Sequence, residues 1–332
     1  MIGIVSSEED LHAQGVRRHL DSIGASHVLI DTAQVPMQVA LTSTQDSAGW
    51  RGAWGETDLG AVHAMWWRRP EPFRLHDEVT DPHDRLFARG ECAAMVSGLW
   101  SCMDAEWVND PDRDEAASRK MAQLALAVRL GLRVPRTCMT SGPDRARDFV
   151  HAEDGAVIFK PFSATPQTWR ETRPVRECDL DLMDNVRLAP VIFQELVPGG
   201  VDVRVTIVGD RVFAAEIRGN ASSYEFDFRV ERAPTITPHT LPQAVEARLL
   251  TLMRRLGLRY GAADLRIAPD GDYVFLEVNP AGQWLFVELA TGQPITRTLA
   301  DLLHRLDQGE ASTRRSGAGR LVTAPSLADG AG

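Results

Sequence analysis

The chain has 332 residues, 36 basic and 46 acidic side chains and a formal net charge of −10 at pH 7. This length predicts two or three domains at roughly 100–200 residues each, and the acidic total argues against the basic footprint of a nucleic-acid binder. No apolar run reaches the ~18 residues of a membrane span, and the opening MIGIVSSEED lacks the basic and long apolar parts of a signal peptide. No nucleic-acid or membrane partner is therefore expected.

In chain order, residues 2–6 (IGIVS) read as a buried strand, 8–23 as an amphipathic helix stopped by Gly24, and 27–30 as a second strand. This strand–helix–strand opening predicts a parallel α/β layer. Residues 36–60 read as a hairpin or loop, 61–67 as a strand, 77–104 as a helix and 107–109 as a short strand. A new unit starts near Asp112 with one long helix over 113–130, a strand over 132–141, a helix over 143–151 and a strand over 156–160. The polar stretch 161–177 is too long for an ordinary connection. It is either a functional lid or disorder. A strand over 191–196 precedes a hairpin, 202–208 and 211–218, across Gly209-Asp210. Residues 219–238 read as irregular, 242–256 as a helix, 259–267 and 272–278 as a second hairpin, and 295–306 as a closing helix. Beyond Gly309 the composition predicts a disordered tail.

Two compositional features bear on chemistry. The cysteines Cys92, Cys102, Cys138 and Cys178 match no zinc or CxxC spacing and read as small, reduced, buried hydrophobes in a cytoplasmic protein. Only two lysines occur, Lys120 and Lys160, against 34 arginines. Lysine is a compact point charge on a flexible stem, suited to a phosphate oxygen. A codon bias with two leftovers is the bland alternative.

The second hairpin is the most informative segment. An Asp270-Gly271 two-residue turn sets Asp264 directly across from Glu277, with Asn279 on the same face. The opposite face then carries Leu265, Ile267, Val274, Leu276 and Val278. Opposed carboxylates repel, so the pair needs a proton, an arginine or a cation. Two carboxylates with a neutral amide suit Mg²⁺. Arg266 falls on the same face, as a catalytic arginine or as an ion-pair partner.

With these residues in place, the chain resembles an ATP-grasp ligase over roughly residues 105–306. The pieces are Asn109-Asp110-Pro111 followed by Lys120, the strand end VIFKPF with Lys160, FQELVPGG at 193–200, Asp202-Val203-Arg204, EIR ending at Arg218, and Asp264 with Glu277 and Asn279. Both lysines land on the family's two nucleotide-binding positions. MWWRRPEPF, WVNDP and LEVNPAGQWLFVELATGQPI further resemble the ribosomal-peptide maturase, or graspetide, branch.

The resemblance implies a three-part ATP-grasp fold, α/β and α+β. Its parts are an N-terminal parallel α/β domain (1–111), a central subdomain with the lid (112–190), a C-terminal subdomain with the metal site (191–308) and a tail (309–332). It implies ATP and two Mg²⁺ ions as cofactors. Lys120 and Lys160 would hold phosphates, while Gln194, Glu195 and Val197 would lie at the adenine, mainly through backbone. Asp202 would accept from the ribose, and Asp264, Glu277 and Asn279 would bind metal. Arg204, Arg218 and Arg266 are the catalytic candidates. By spacing alone, a two-residue Gly209-Asp210 turn puts Arg204 and Arg218 on opposite faces.

The implied reaction activates Asp or Glu side chains of a ribosomal precursor peptide as acyl phosphates and joins them to Ser, Thr or Lys. A leader segment would dock on the enzyme, and a homodimer is consistent with the family. An amino-acid or glutamate ligase and a non-catalytic nucleotide-binding regulator are the alternatives. Ser163, Thr165 and Thr168 could serve the lid, and Asp227 and Arg229 an acceptor site. Arg68 and Arg69 could bind acidic peptide or rim the first domain, and Trp284 is either a substrate wall or core.

Overall fold

A computed structural model of the chain describes residues 1–47, 49–162, 172–199, 201–219 and 234–309. Ser163, Thr165, Thr168, Asp227, Arg229 and residues 310–332 of the expected tail lie outside the described residues.

β1 (Ile2–Val5), α1 (Leu11–Ser22) and β2 (His27–Ile30) follow the expected order. β3 (Leu41–Asp46), β4 (Gly49–Trp54) and β5 (Thr57–Asp58) make a small antiparallel sheet from the segment expected to be hairpin or loop. β6 (Ala64–Trp67), α2 (Pro82–Cys102) and β7 (Glu106–Val108) complete the unit. Its main sheet is parallel, in the order β2-β1-β6-β7. All four residues of β1 are buried, as a strand covered on both faces requires.

The helix expected over 113–130 is broken in two. α3 (Pro111–Ala117) is capped by the Asp110 carboxylate, which accepts from the Asp112 and Arg113 amides at 3.0 and 3.2 Å. Arg119 then turns extended, at φ −74° and ψ 98°, so α4 (Lys120–Arg129) begins afresh with Lys120 in its first turn. β8 (Thr137–Thr140), α5 (Pro143–Ala152), β9 (Val157–Lys160), β10 (Arg173–Pro174), α6 (Glu177–Leu180) and β11 (Val191–Glu195) follow. Their strands form an antiparallel sheet in the order β10-β9-β11-β8. Val157, Phe159, Val191 and Phe193 pack with Ala146 and Val150 of α5, so Lys160 and Gln194, of opposite parity, lie on the face turned away from α5.

The last unit contains β12 (Val201–Val208), β13 (Arg211–Arg218), β14 (Thr235–His239), α7 (Gln243–Leu256), β15 (Tyr260–Ile267), β16 (Tyr273–Asn279), α8 (Leu285–Thr291) and α9 (Ile295–Asp307). Its five-stranded sheet runs β14-β13-β12-β15-β16. β14 falls largely inside the segment expected to be irregular. It contains Pro238, and proline is tolerated in a strand at a sheet edge, where β14 lies. α8 was likewise not anticipated.

One face of this sheet carries Val203, Val205, Ile207, Ala263, Leu265, Phe275 and Val278 against Leu249, Leu252 and Met253 of α7. The other face is apolar at one end, where Val208, Phe213, Ala215 and Tyr260 join a core with Ile2, Ile4, Trp66 and α9. α9 places Ile295, Leu299, Leu303 and Leu306 in that core, each stabilising by roughly 1.5–3 kcal/mol. The other end of the same face carries the charged residues of the site. Cys102 and Cys178 are exposed, contrary to the reading of all four cysteines as buried. Among the described residues no helix is long and apolar enough to cross a membrane.

Candidate active site

The register of the β15–β16 hairpin decides the site. Asp264 pairs with Glu277 as expected, and Ala262 pairs with Asn279. The route differs from the simple two-residue turn. Ala268 and Asp272 close a three-residue turn, with Gly271 at φ +86°. A bulge between Asp264 and Leu265 then restores the register, because Leu265 pairs with Phe275 and leaves Leu276 as the extra residue. Beyond the bulge the faces exchange relative to the expectation. Phe275 and Tyr273 join the α7 core in place of Val274 and Leu276, which pack with Val197 and Ala268 instead.

β12 adds to the same face. Arg204 is registered with Asp264, and Asp202 with Arg266. The Arg204 Nη1 donates to Asp264 Oδ1 at 2.6 Å, and Nη2 to the Gln283 carbonyl at 3.4 Å. Lys120, from the start of α4, donates to the Glu277 carboxylate. Asn279 accepts from the Ala281 amide at 2.9 Å. Burial pushes the Asp264 carboxyl up, Arg204 opposes that shift and Glu277 adds to it. The need for a compensating cation is thus met by Arg204 on one carboxylate and Lys120 on the other. Arg266 does not serve them. It forms a two-pronged pair with Asp202, Nε to Oδ1 at 2.8 Å and Nη2 to Oδ2 at 2.9 Å, and reaches the Val197 carbonyl at 3.4 Å.

Lys120, Arg204, Asp264, Glu277 and Asn279 therefore come together, with Asp202 and Arg266 one register step along. Lys160 and Gln194 lie on the second sheet, away from α5, where the Gln194 amide donates to Thr137 Oγ1 at 2.9 Å. Glu195 accepts from the Arg136 amide at 3.0 Å, and Val197 is buried with Ala268 and Val274. Arg218 is not brought to Arg204. The Gly209-Asp210 turn contains two residues, Arg218 is registered with Val201, and its guanidinium pairs with Glu216 on the face of Val203. The physical reason is strand alternation.

Some contacts were not foreseen. Arg68 is only 1% exposed and its guanidinium is turned inward rather than along a rim. It joins Asp10 at 3.1 Å to the carbonyls of Ala281 and Gly282 at 2.5 and 3.1 Å, just past Asn279. His12 Nε2 accepts from the Trp284 amide at 3.2 Å, while Trp284 is fully buried and is core. Asn109, read as part of WVNDP and of the Asn109-Asp110-Pro111 piece, donates to the Tyr260 and Pro280 carbonyls at 2.9 and 3.2 Å. The sequence signal for these was proximity to a motif, without the tertiary partner that explains it.

The donor set suits a hard divalent cation, with two carboxylates and an amide oxygen on one face. Among the described residues no group of three or more His, Cys, Asp or Glu side chains is placed to hold a metal ion; this arrangement has two carboxylates and one amide.

No family model matches the chain. It is 30% identical over 215 residues to a probable alpha-L-glutamate ligase of Hahella chejuensis, covering 61% of this chain and 68% of that relative. Its structure is similar to the macrocyclase MdnC of Microcystis aeruginosa bound with precursor peptide MdnA, with a TM-score of 0.81, 27% identity, and 91% and 98% of the two chains covered. The ATP-grasp ligase PsnB complexed with minimal precursor, Mg and ADP is similar at a TM-score of 0.77 and 27% identity, over 92% of this chain and 97% of that one.

Proposed function

The chain belongs to the ATP-grasp ligases, ADP-forming enzymes that activate carboxylates, and we propose that it closes rings in a ribosomally made precursor peptide. One observation carries this reading. The similarity to a macrocyclase bound with its precursor runs through the N-terminal domain and covers 91% of the chain, whereas the glutamate-ligase match covers 61%.

In this reading an Asp or Glu side chain of the peptide attacks the γ-phosphorus of ATP, which gives an acyl phosphate and ADP. A Ser or Thr hydroxyl, or a Lys amine, then attacks the acyl carbon and expels phosphate, leaving an ester or amide. Asp264, Glu277 and Asn279 would hold two Mg²⁺ ions, which supply charge neutralisation at the phosphates. Lys120 and Lys160 would bind the phosphates, Asp202 the ribose, and the backbone of Gln194, Glu195 and Val197 the adenine. Arg204 neutralises charge where the tetrahedral oxyanion forms. Arg266 acts by fixing Asp202 in place, and this reading gives Arg218 no contact with the reacting atoms. In the structure Lys120 and Arg204 are paired with the metal-site carboxylates, so phosphates and cations would take these partners in exchange.

The test incubates the chain with ATP, Mg²⁺ and a synthetic peptide carrying Glu, Asp, Ser, Thr and Lys behind a leader. Loss of one water per linkage, matched by ADP release, is expected. A gain in mass by added glutamate would instead support the glutamate-ligase reading.

A further inference from the structure

β16 is the outer strand of its sheet, and among the described residues its open side carries no named strand, only an isolated bridge between Val274 and Arg133. At Val278 that side is taken by a single side chain. The Val278 amide donates to Gln123 Oε1 at 3.0 Å, and Gln123 Nε2 donates back to the Val278 carbonyl at 2.8 Å. The primary amide thus imitates the peptide group of a missing strand. Its nitrogen also donates to the Ala117 carbonyl at 2.5 Å, at the end of α3. Gln123 is 2% exposed, and both polar atoms of its amide are engaged.

The location gives this contact its meaning. Val278 lies between Glu277 and Asn279, and its own side chain packs into the α7 core. Holding the Val278 peptide therefore fixes the main chain on which both candidate metal ligands stand. Gln123 sits one turn after Lys120 on α4, and residues three apart share a helix face. One short helix thus touches the metal strand twice, at the Glu277 carboxylate through Lys120 and at the Val278 backbone through Gln123. The break between α3 and α4 makes this possible, and Gln123 itself bonds a carbonyl at that break.

We propose that Gln123 is a positioning residue whose amide locks the β16 backbone and so sets the separation of Glu277 and Asn279 for a divalent cation. This rests on the reading of the site above. Outer-shell partners of metal ligands typically contribute about 10–100-fold in metal affinity. The lock also keeps α4 docked when Lys120 leaves Glu277 for a phosphate.

The experiment compares wild type with Gln123→Met, which keeps length and volume but removes the amide, and with Gln123→Glu. In nucleotide-free protein, Val278 amide exchange should rise at least about tenfold in Gln123→Met, while amides of β12 and β15 keep their protection. Mn²⁺ affinity of the ADP complex, read by electron paramagnetic resonance, should fall about tenfold or more, with metal-free ADP affinity unchanged within about twofold. In Gln123→Glu, a protonated carboxyl can both accept and donate, so Val278 protection relative to wild type should recover as pH is lowered from about 8 to about 5. That variant also serves if Gln123→Met does not fold. Faster Val278 exchange with unchanged Mn²⁺ affinity would overturn the proposal, as would a freely exchanging Val278 in wild type. Failure of the wild-type ADP complex to bind Mn²⁺ would sink the functional reading and this inference with it.

Discussion

Two ion pairs flank the turn that follows β16, Lys120 with Glu277 and Arg68 with Asp10, and they differ in burial. At the candidate metal site, Lys120 and Glu277 are 23% and 29% exposed at their side chains. At the joint with the N-terminal parallel sheet, Arg68 and Asp10 are 0% and 10% exposed. The joint is closed by further bonds. Asp10 accepts from the His12 amide at 2.8 Å, and Tyr260 donates to the same Gly282 carbonyl as Arg68. Burial alone would raise the Asp10 carboxyl, but its His12 hydrogen bond and the Arg68 guanidinium outweigh it and hold the group well below the usual carboxylate range. A half-open pair can trade partners at modest cost because water replaces what is lost. A sealed pair cannot, because removing one member leaves a buried, uncompensated charge. The same chemistry thus serves exchange in one pair and fixation in the other.

The largest effect should come from the sealed pair. Arg68→Met should destabilise the fold by about 3–5 kcal/mol, read by denaturant unfolding. A loss under about 1 kcal/mol would show that the two pairs do not differ as described. Glu277→Ala should do the reverse, lowering turnover by about a hundredfold while the thermal midpoint changes little, since an opposed carboxylate and its half-exposed pairing with Lys120 are lost together.

A buried carboxyl outside both pairs gives a pH test of the same logic. Asp114 has a carboxylate oxygen, Oδ2, buried without a hydrogen-bond partner. Burial pushes its pKa from 3.8 up to about 6, against a lowering hydrogen bond with Asn109. The folded chain therefore holds a proton that the unfolded chain releases. This favourable term is complete below about pH 4 and is lost as pH rises through about 6, amounting to at most about 3 kcal/mol. Asp114→Asn should flatten stability across that window, and an unchanged slope of unfolding free energy against pH would contradict it. The smallest effect is expected at Arg218. Its alanine variant should keep turnover within about threefold, whereas Arg204→Ala should lose about a hundredfold or more. Equal losses would place both arginines at the reacting atoms.

Much of this site was legible from spacing, though partly by compensation. The three-residue turn and the bulge at Leu276 each shift the register by one and cancel at Asp264 and Glu277, so the pairing was right while the faces of residues 273–276 were not. Hairpin spacing also separated Arg204 from Arg218, against the resemblance-based expectation that both are catalytic. What stayed hidden depends on contacts between distant segments. The partner of Arg266 is Asp202, 64 residues away. Arg68 meets carbonyls more than 200 residues along the chain, and the amide of Gln123 meets Val278. The break of α3 from α4 was invisible for a related reason, because helical periodicity runs through Ser118 and Arg119 and only tertiary docking fixes the second start.

The most direct measurement is anomalous scattering from Mn²⁺ in crystals grown with ADP. The account predicts manganese within bonding distance of Asp264, Glu277 and Asn279, with the Lys120 ammonium moved from Glu277 to a phosphate oxygen. Manganese elsewhere, with Lys120 still on Glu277 in the nucleotide-bound chain, would contradict it.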